Sequence, residues 1–156
     1  MSTVVLSHPP APLLRVANPV ITLLLRTPLS RSVGRDFMVV AVTGRKSGRR
    51  YTIPVSAHHL DGTLYAITNA AWRYNFRGGA DAEITHRGTT TTMRGELIGD
   101  PTEVAQLCRR SVLAYGPSRA ALLLGMKFTG GTPTVEDFAE IATREHLAAI
   151  RFTAPA

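Results

Sequence analysis

The chain reads as one mainly-β α+β domain whose antiparallel strands form a small closed or half-closed barrel, with helices before and after them. Three observations predict this. Apolar runs of strand length recur from Phe37 onward, separated by two-residue turn signals, so hairpins dominate and the sheet is mainly antiparallel. A length of 156 residues with 44% hydrophobic content fits a single core. The clearest helix signals sit at the ends of the β region, and a sheet of hairpins manages its exposed edges by curling on itself and covering them.

Residues 1–17 are Pro-rich and read as a flexible N-terminal segment preceding a domain over residues 18–156. Asn18-Pro19 and Thr27-Pro28 each pair a capping residue with proline at the first helical position, predicting short helices over residues 19–26 and 28–33 with Gly34 as a stop. The first is very apolar and basic at its flanks. It packs on the barrel or, through the stretch from Pro19 to Arg26, lies on an anionic membrane surface.

Residues 37–42 form the first strand and residues 49–60 a second, long enough to bend, with Pro54 marking an edge or bulge. Asp61-Gly62 is a hairpin signal leading into a third strand over 63–68. Residues 69–79 carry Trp72-Arg73-Tyr74-Asn75-Phe76 and end in Gly78-Gly79, the pattern of a short helix with a glycine stop. A second hairpin joins 83–86 to 89–98 through Arg87-Gly88. Asp100-Pro101-Thr102-Glu103 starts a helix as a capping box does, running to Tyr115 before Gly116-Pro117. Helical character continues over 119–127. Thr134 or Thr132 starts a last helix ending near Glu145, and residues 147–152 close as a strand. The total is about six strands.

The densest chemistry lies in Thr43-Gly44-Arg45-Lys46-Ser47-Gly48-Arg49-Arg50, a glycine-bounded turn between two strands with four cations in its last six residues. Turn amides can form an anion-binding concavity, and Arg and Lys supply donors for phosphate or carboxylate. The pattern also suits a merely solvated hairpin. It is not a G-x-x-x-x-G-K-[ST] loop, since Arg45 and not a glycine stands directly before Lys46 and the spacing fails. Net charge is +7, and eight of the 18 basic residues fall between Arg15 and Arg50, where Asp36 is the only acid. The asymmetry points to an anionic partner. Nucleic acid is not expected, since aromatics are only 6% of residues and no recognition motif is legible.

A lone Cys108 excludes an intrachain disulfide and a cysteine-rich metal site, in keeping with a reducing, cytoplasmic setting. The first residues lack an n-region charge and carry Pro9, Pro10 and Pro12, so no secretory signal is expected. No run approaches the ~20 apolar residues of a spanning helix. His58 and His59 alternate on a strand and cannot chelate one ion together, while His8, His86 and His146 are scattered, so no metal is expected. There is no G-x-S-x-G elbow.

With these residues in place, the chain resembles the deazaflavin-dependent nitroreductase and F420H2-dependent quinone reductase family of flavin/deazaflavin oxidoreductases. The resemblance is carried by Asn18-Pro19 with Leu25-Arg26-Thr27-Pro28-Leu29, by Val42-Thr43-Gly44-Arg45-Lys46-Ser47-Gly48, by Tyr51-Thr52-Ile53-Pro54-Val55 and by Trp72-x-x-Asn75-Phe76. It spans residues 18–98 and weakens toward Tyr115. It implies an FMN-binding-like split β-barrel and coenzyme F420, whose tail carries a phosphodiester and carboxylates. Carried over by motif, Arg45, Lys46, Ser47 and Gly48 hold the phosphate and tail, and Arg50 reaches its carboxylates. Pro54 and Val55 line the ring, Thr68 and Asn69 face the coenzyme, and Trp72 and Asn75 border the pocket. Trp72 is equally readable as core and Asn75 as a turn cap.

The implied reaction is hydride transfer from the reduced coenzyme to a quinone, enone or nitro compound, with a proton from water or from a hydroxyl such as Tyr51, Tyr65 or Tyr115. The family's tyrosine-rich C-terminal segment is represented here by Tyr115 alone. The alternatives are an FMN-dependent oxidoreductase on the same fold, and a non-catalytic carrier of a cofactor, lipid or tetrapyrrole with a pocket at Leu122, Leu123, Leu124 and Met126. Monomer and homodimer stay open.

Overall fold

A computed structural model describes residues 3–6 and 36–155. The helices expected over residues 19–26 and 28–33, and with them the candidate membrane face, lie outside the described residues. The strands are β1 (Thr3–Leu6), β2 (Phe37–Thr43), β3 (Arg50–Ser56), β4 (His58–Leu60), β5 (Thr63–Thr68), β6 (Ala80–His86), β7 (Thr89–Ile98), β8 (Met126–Thr129) and β9 (Ala148–Thr153). The helices are a 3-10 helix (Ala71–Phe76), α1 (Pro101–Tyr115), α2 (Pro117–Leu124) and α3 (Val135–Arg144).

Seven strands form one sheet in the order β3-β2-β6-β7-β9-β5-β4, and every pairing in it is antiparallel. Its two edge strands, β3 and β4, are consecutive in the chain with only Ala57 between them. One residue spans less than 4 Å, so the sheet has to curl until its edges meet. The result is an α+β, mainly antiparallel, split barrel. The Ala57 N–H donates to the carbonyl of Asp36 at 2.8 Å, extending the β2–β3 pairing by one step beyond Phe37 and Ser56. The single strand expected over 49–60 is therefore two, and nine strands stand among the described residues where about six were expected.

Strand alternation sorts side chains into two cores. Met38, Val40 and Val42 of β2, Leu64 and Ala66 of β5, Ile84 of β6, and Ile150 and Phe152 of β9 fill the barrel, joined by Phe76 from the 3-10 helix. The opposite face supplies Tyr65 and Ala149 to a second core with Val104, Cys108 and Val112 of α1 and Phe138 and Ile141 of α3. Both hairpins form at the expected residues, with positive φ at Asp61 and Gly62 and at Arg87 and Gly88. Asp100 caps α1 by accepting the Thr102 N–H at 3.0 Å. Thr134 and Asp137 cap α3 reciprocally, each side chain accepting the other's backbone N–H, at 3.2 and 2.9 Å.

Two further expectations are corrected. Thr3–Leu6, within the segment read as flexible, is a strand paired residue for residue with Met126–Thr129. Helical character stops at Leu124, because Met126-Lys127-Phe128-Thr129 alternates apolar and polar and finds that distant partner. Of the carrier's four pocket residues, Leu123 and Leu124 are buried in packing, while Leu122, 74% exposed, and Met126 line an open depression of about 700 Å³ between α2 and β8.

Candidate functional site

The turn between β2 and β3 is closed by its own backbone, the Gly44 N–H donating to the Arg49 carbonyl at 2.7 Å and the Gly48 N–H to the Gly44 carbonyl at 2.9 Å. Ser47 Oγ accepts the Arg49 N–H at 3.2 Å and contacts the Tyr51 hydroxyl at 3.2 Å. The N–H groups of Lys46 and Ser47 have no partner among the described residues.

Facing this turn is the 3-10 helix. A cleft of about 570 Å³ lies between them, lined by Gly44, Arg45, Lys46, Ser47 and Tyr51 on one wall and by Ala71, Trp72, Tyr74, Asn75 and Arg77 on the other. That volume is within the ~300–1,000 Å³ usual for small-molecule sites. The two walls are bonded together. Asn75 Oδ1 accepts the Arg45 N–H at 3.1 Å, while Asn75 Nδ2 donates to the Trp72 carbonyl at 3.0 Å. The Arg45 guanidinium donates to the carbonyls of Arg77 and Gly79. Trp72 also packs edge-on against Phe76, ring centroids 6.0 Å apart, so it is both cleft wall and core.

The charged residues lining the cleft, Arg45, Lys46 and Arg77, are all cations. No carboxylate lines it, and among the described residues Arg45, Lys46, Arg73 and Arg77 form no ion pair. Arg73 is buried behind the wall, donating to the carbonyls of Asn69 and Ala70 at 2.7 and 2.9 Å and to the Tyr74 hydroxyl at 2.6 Å. The guanidiniums of Arg73 and Arg77 lie 4.1 and 4.3 Å from the centre of the Tyr74 ring. Such contacts favour the cations and hold the ring in place.

Of the residues singled out from sequence, Arg45, Lys46, Ser47, Tyr51, Trp72 and Asn75 meet in this cleft. Gly48 shapes the turn without lining it. Arg50 pairs with Glu83 at 2.7 Å over a separate shallow depression between β3 and β6. Val55 packs on the barrel core and Pro54 stands opposite Val39. Thr68 Oγ1 accepts the Ala70 N–H at 3.0 Å and Asn69 Nδ2 donates to the Glu145 carbonyl at 3.2 Å, so both anchor the start of the 3-10 helix. Tyr115, the last residue of α1, donates to the His59 carbonyl of β4 at 3.4 Å, and burial pushes its phenol above the ordinary range. Tyr65 is core. Tyr74 and Arg77 are the cleft residues sequence reasoning passed over; their adjacency to Trp72 and Asn75 was the available signal.

Among the described residues no helix is long and apolar enough to cross a membrane. No protein-family model and no curated protein matches the chain. Solved structures that match it include three of low identity. A conserved hypothetical protein from Mycobacterium tuberculosis shares 11% identity over 88% of this chain and 79% of its own, with a TM-score of 0.47. A protein described as a domain-swapped dimer shares 13% over 92% and 100%, with a TM-score of 0.48. An F420 reductase shares 13% over 85% and 91%, with a TM-score of 0.42. At these scores the likenesses assign no function to this chain.

Proposed function

We propose that the cleft between the basic turn and the 3-10 helix binds coenzyme F420, and that the protein is an F420H2-dependent reductase of a quinone, enone or nitro compound. One observation carries the reading. The Asn75–Arg45 bond joins the T-G-R-K-S-G turn to the W-x-x-N segment, so the two halves of the sequence resemblance form the walls of a single cleft.

The donor set suits an acidic tail. Lys46 contributes a mobile ammonium, the Lys46 and Ser47 amides remain available, and Arg45 and Arg77 add positive potential without a competing carboxylate. Trp72 and Tyr74 offer aromatic surface to a flat ring. When bound, the reduced coenzyme supplies the hydride. The protein's part is to hold the tail, orient the ring and place an acceptor in reach. Tyr51, whose hydroxyl touches Ser47 Oγ, is the phenol on the turn side of the cleft and the candidate proton source there.

The test is a fluorescence titration of the full chain with oxidised F420 and, separately, with FMN, followed by oxidation of F420H2 in the presence of quinones, enones and nitroarenes. Binding of F420 in preference to FMN with acceptor-dependent oxidation is expected. FMN binding alone turns the reading to a flavin enzyme, and tight binding without turnover turns it to a carrier.

A further inference from the structure

A second pocket, of about 520 Å³, opens between the β4–β5 and β6–β7 hairpins and shares no lining residue with the cleft. Its floor is apolar, made by Leu64, Ile84, Met93 and Phe152, and threonines ring most of the remainder. At its rim stand His59 and His86, brought together from distant parts of the sequence. His59 Nε2 and His86 Nδ1 are 3.4 Å apart and the ring centroids 5.0 Å apart.

We propose that this pocket is a ligand site for a small organic acid with a compact apolar body, its carboxylate held by His59 and His86. Facing each other, His59 Nε2 and His86 Nδ1 act as one donor and one acceptor. A neutral imidazole can carry its proton on either nitrogen, so an anion lets both facing nitrogens donate at once without added protons. Hydrogen bonds to a carboxylate are stronger than the neutral bond they replace. The apolar floor takes the body of the ligand, and burying it is the main favourable term.

Charge decides against a metal ion at the same two nitrogens. No carboxylate lines the pocket, and among the described residues no group of three or more ligating side chains forms. Asp61, in the β4–β5 turn, is engaged by Arg110 at 3.4 Å. Burial, His86 and Arg87 all disfavour positive charge on His59, and a dication would meet the same opposition. Burial costs any ion part of its hydration, but the Arg87 charge that opposes a cation favours an anion.

The probe is 2-naphthoate, titrated into the full chain by its own fluorescence, with neutral 2-naphthamide as the control. His59→Phe and His86→Phe keep a ring at each position and remove the donors. Each is expected to weaken 2-naphthoate binding tenfold or more. Lys46→Ala, in the other cleft, is expected to leave it unchanged, and the amide to bind at least tenfold more weakly than the acid. Met93→Trp, which fills the floor, is expected to abolish binding and serves as the test if a histidine variant fails to fold. Unchanged affinity in the histidine variants or in Met93→Trp, loss in Lys46→Ala, equal binding of the amide, or no binding by the wild type would each overturn the proposal.

Discussion

Asn75 accepts the backbone N–H of Arg45 at 3.1 Å across thirty residues of chain, and its other amide atom donates to the Trp72 carbonyl at 3.0 Å. One side chain thus ties the anion-facing turn to the aromatic wall. Asn75→Ala removes both bonds and leaves the cleft walls free to separate. Loss of about 1–2 kcal/mol of stability and roughly tenfold weaker F420 binding are expected. Asn75→Asp, which keeps the acceptor and loses the donor, should fall between in stability, while its added carboxylate should weaken F420 binding at least as much as Asn75→Ala does. Thermal unfolding and coenzyme titration on the same samples check this.

Lys46 and Arg45 are neighbours with different duties. The Arg45 guanidinium is spent on the carbonyls of Arg77 and Gly79, whereas Lys46 has no partner among the described residues. Lys46→Ala should therefore leave the melting temperature unchanged and weaken coenzyme binding by on the order of 1–3 kcal/mol. Arg45→Ala should lower both. Added salt should weaken the wild type more than Lys46→Ala, since surface charge attraction is screened.

Gly95 on β7 lies beneath the Phe76 ring. A methyl there would sit 2.5 Å from a Phe76 ring carbon and 3.0 Å from one of Phe152. Phe76 is fully buried and anchors the 3-10 helix to the barrel. Gly95→Ala is expected to cost about 1–3 kcal/mol as an overpacking change. Adding Phe76→Leu should recover part of it, as denaturant unfolding of the single and double variants will show.

His58 is fully buried, with Nδ1 3.4 Å from Ser111 Oγ of α1 and, among the described residues, no hydrogen-bond partner for Nε2. Burial pulls its titration down from 6.5 to about 4. The folded state therefore binds fewer protons than the unfolded state between those values, and stability rises with pH there. The contribution is fully present above pH 6.5 and is lost as pH falls toward 4, on the order of 3 kcal/mol in all. Urea unfolding from pH 7.5 to 4 should show the loss, and His58→Leu should flatten it.

Cys108 sits in the core of α1 with its thiol pushed up to about 12 by burial. A disulfide reagent at pH 8 is expected to leave it unmodified in the native protein. Labelling should appear only with denaturant and follow the unfolding curve.

Elements set by local chemistry were legible from the chain. Asp61-Gly62 and Arg87-Gly88 made their hairpins, Asp100-Pro101 opened α1 and Thr134 capped α3, because each signal acts within a few residues. Ala57 was not legible as a break, since nothing local shows that the strands it separates lie at opposite edges of one sheet. The pairing of Thr3–Leu6 with Met126–Thr129 is equally non-local. At the cleft, Arg50 and Tyr51 carry equally plausible chemistry. Register turned Tyr51 toward Ser47 and Arg50 toward Glu83 on β6.

The amino-acid order alone determined the antiparallel, hairpin-built character of the domain and the cationic turn at Gly44–Gly48, both written in adjacent residues. Tertiary structure alone decided what the turn faces: Asn75 and Trp72 in one cleft, Tyr115 on the helical side, and His59 against His86 at a second pocket. Those meetings depend on how far a sheet curls and which face each side chain takes. Both are settled by burying two cores at once, and no short stretch of sequence records that.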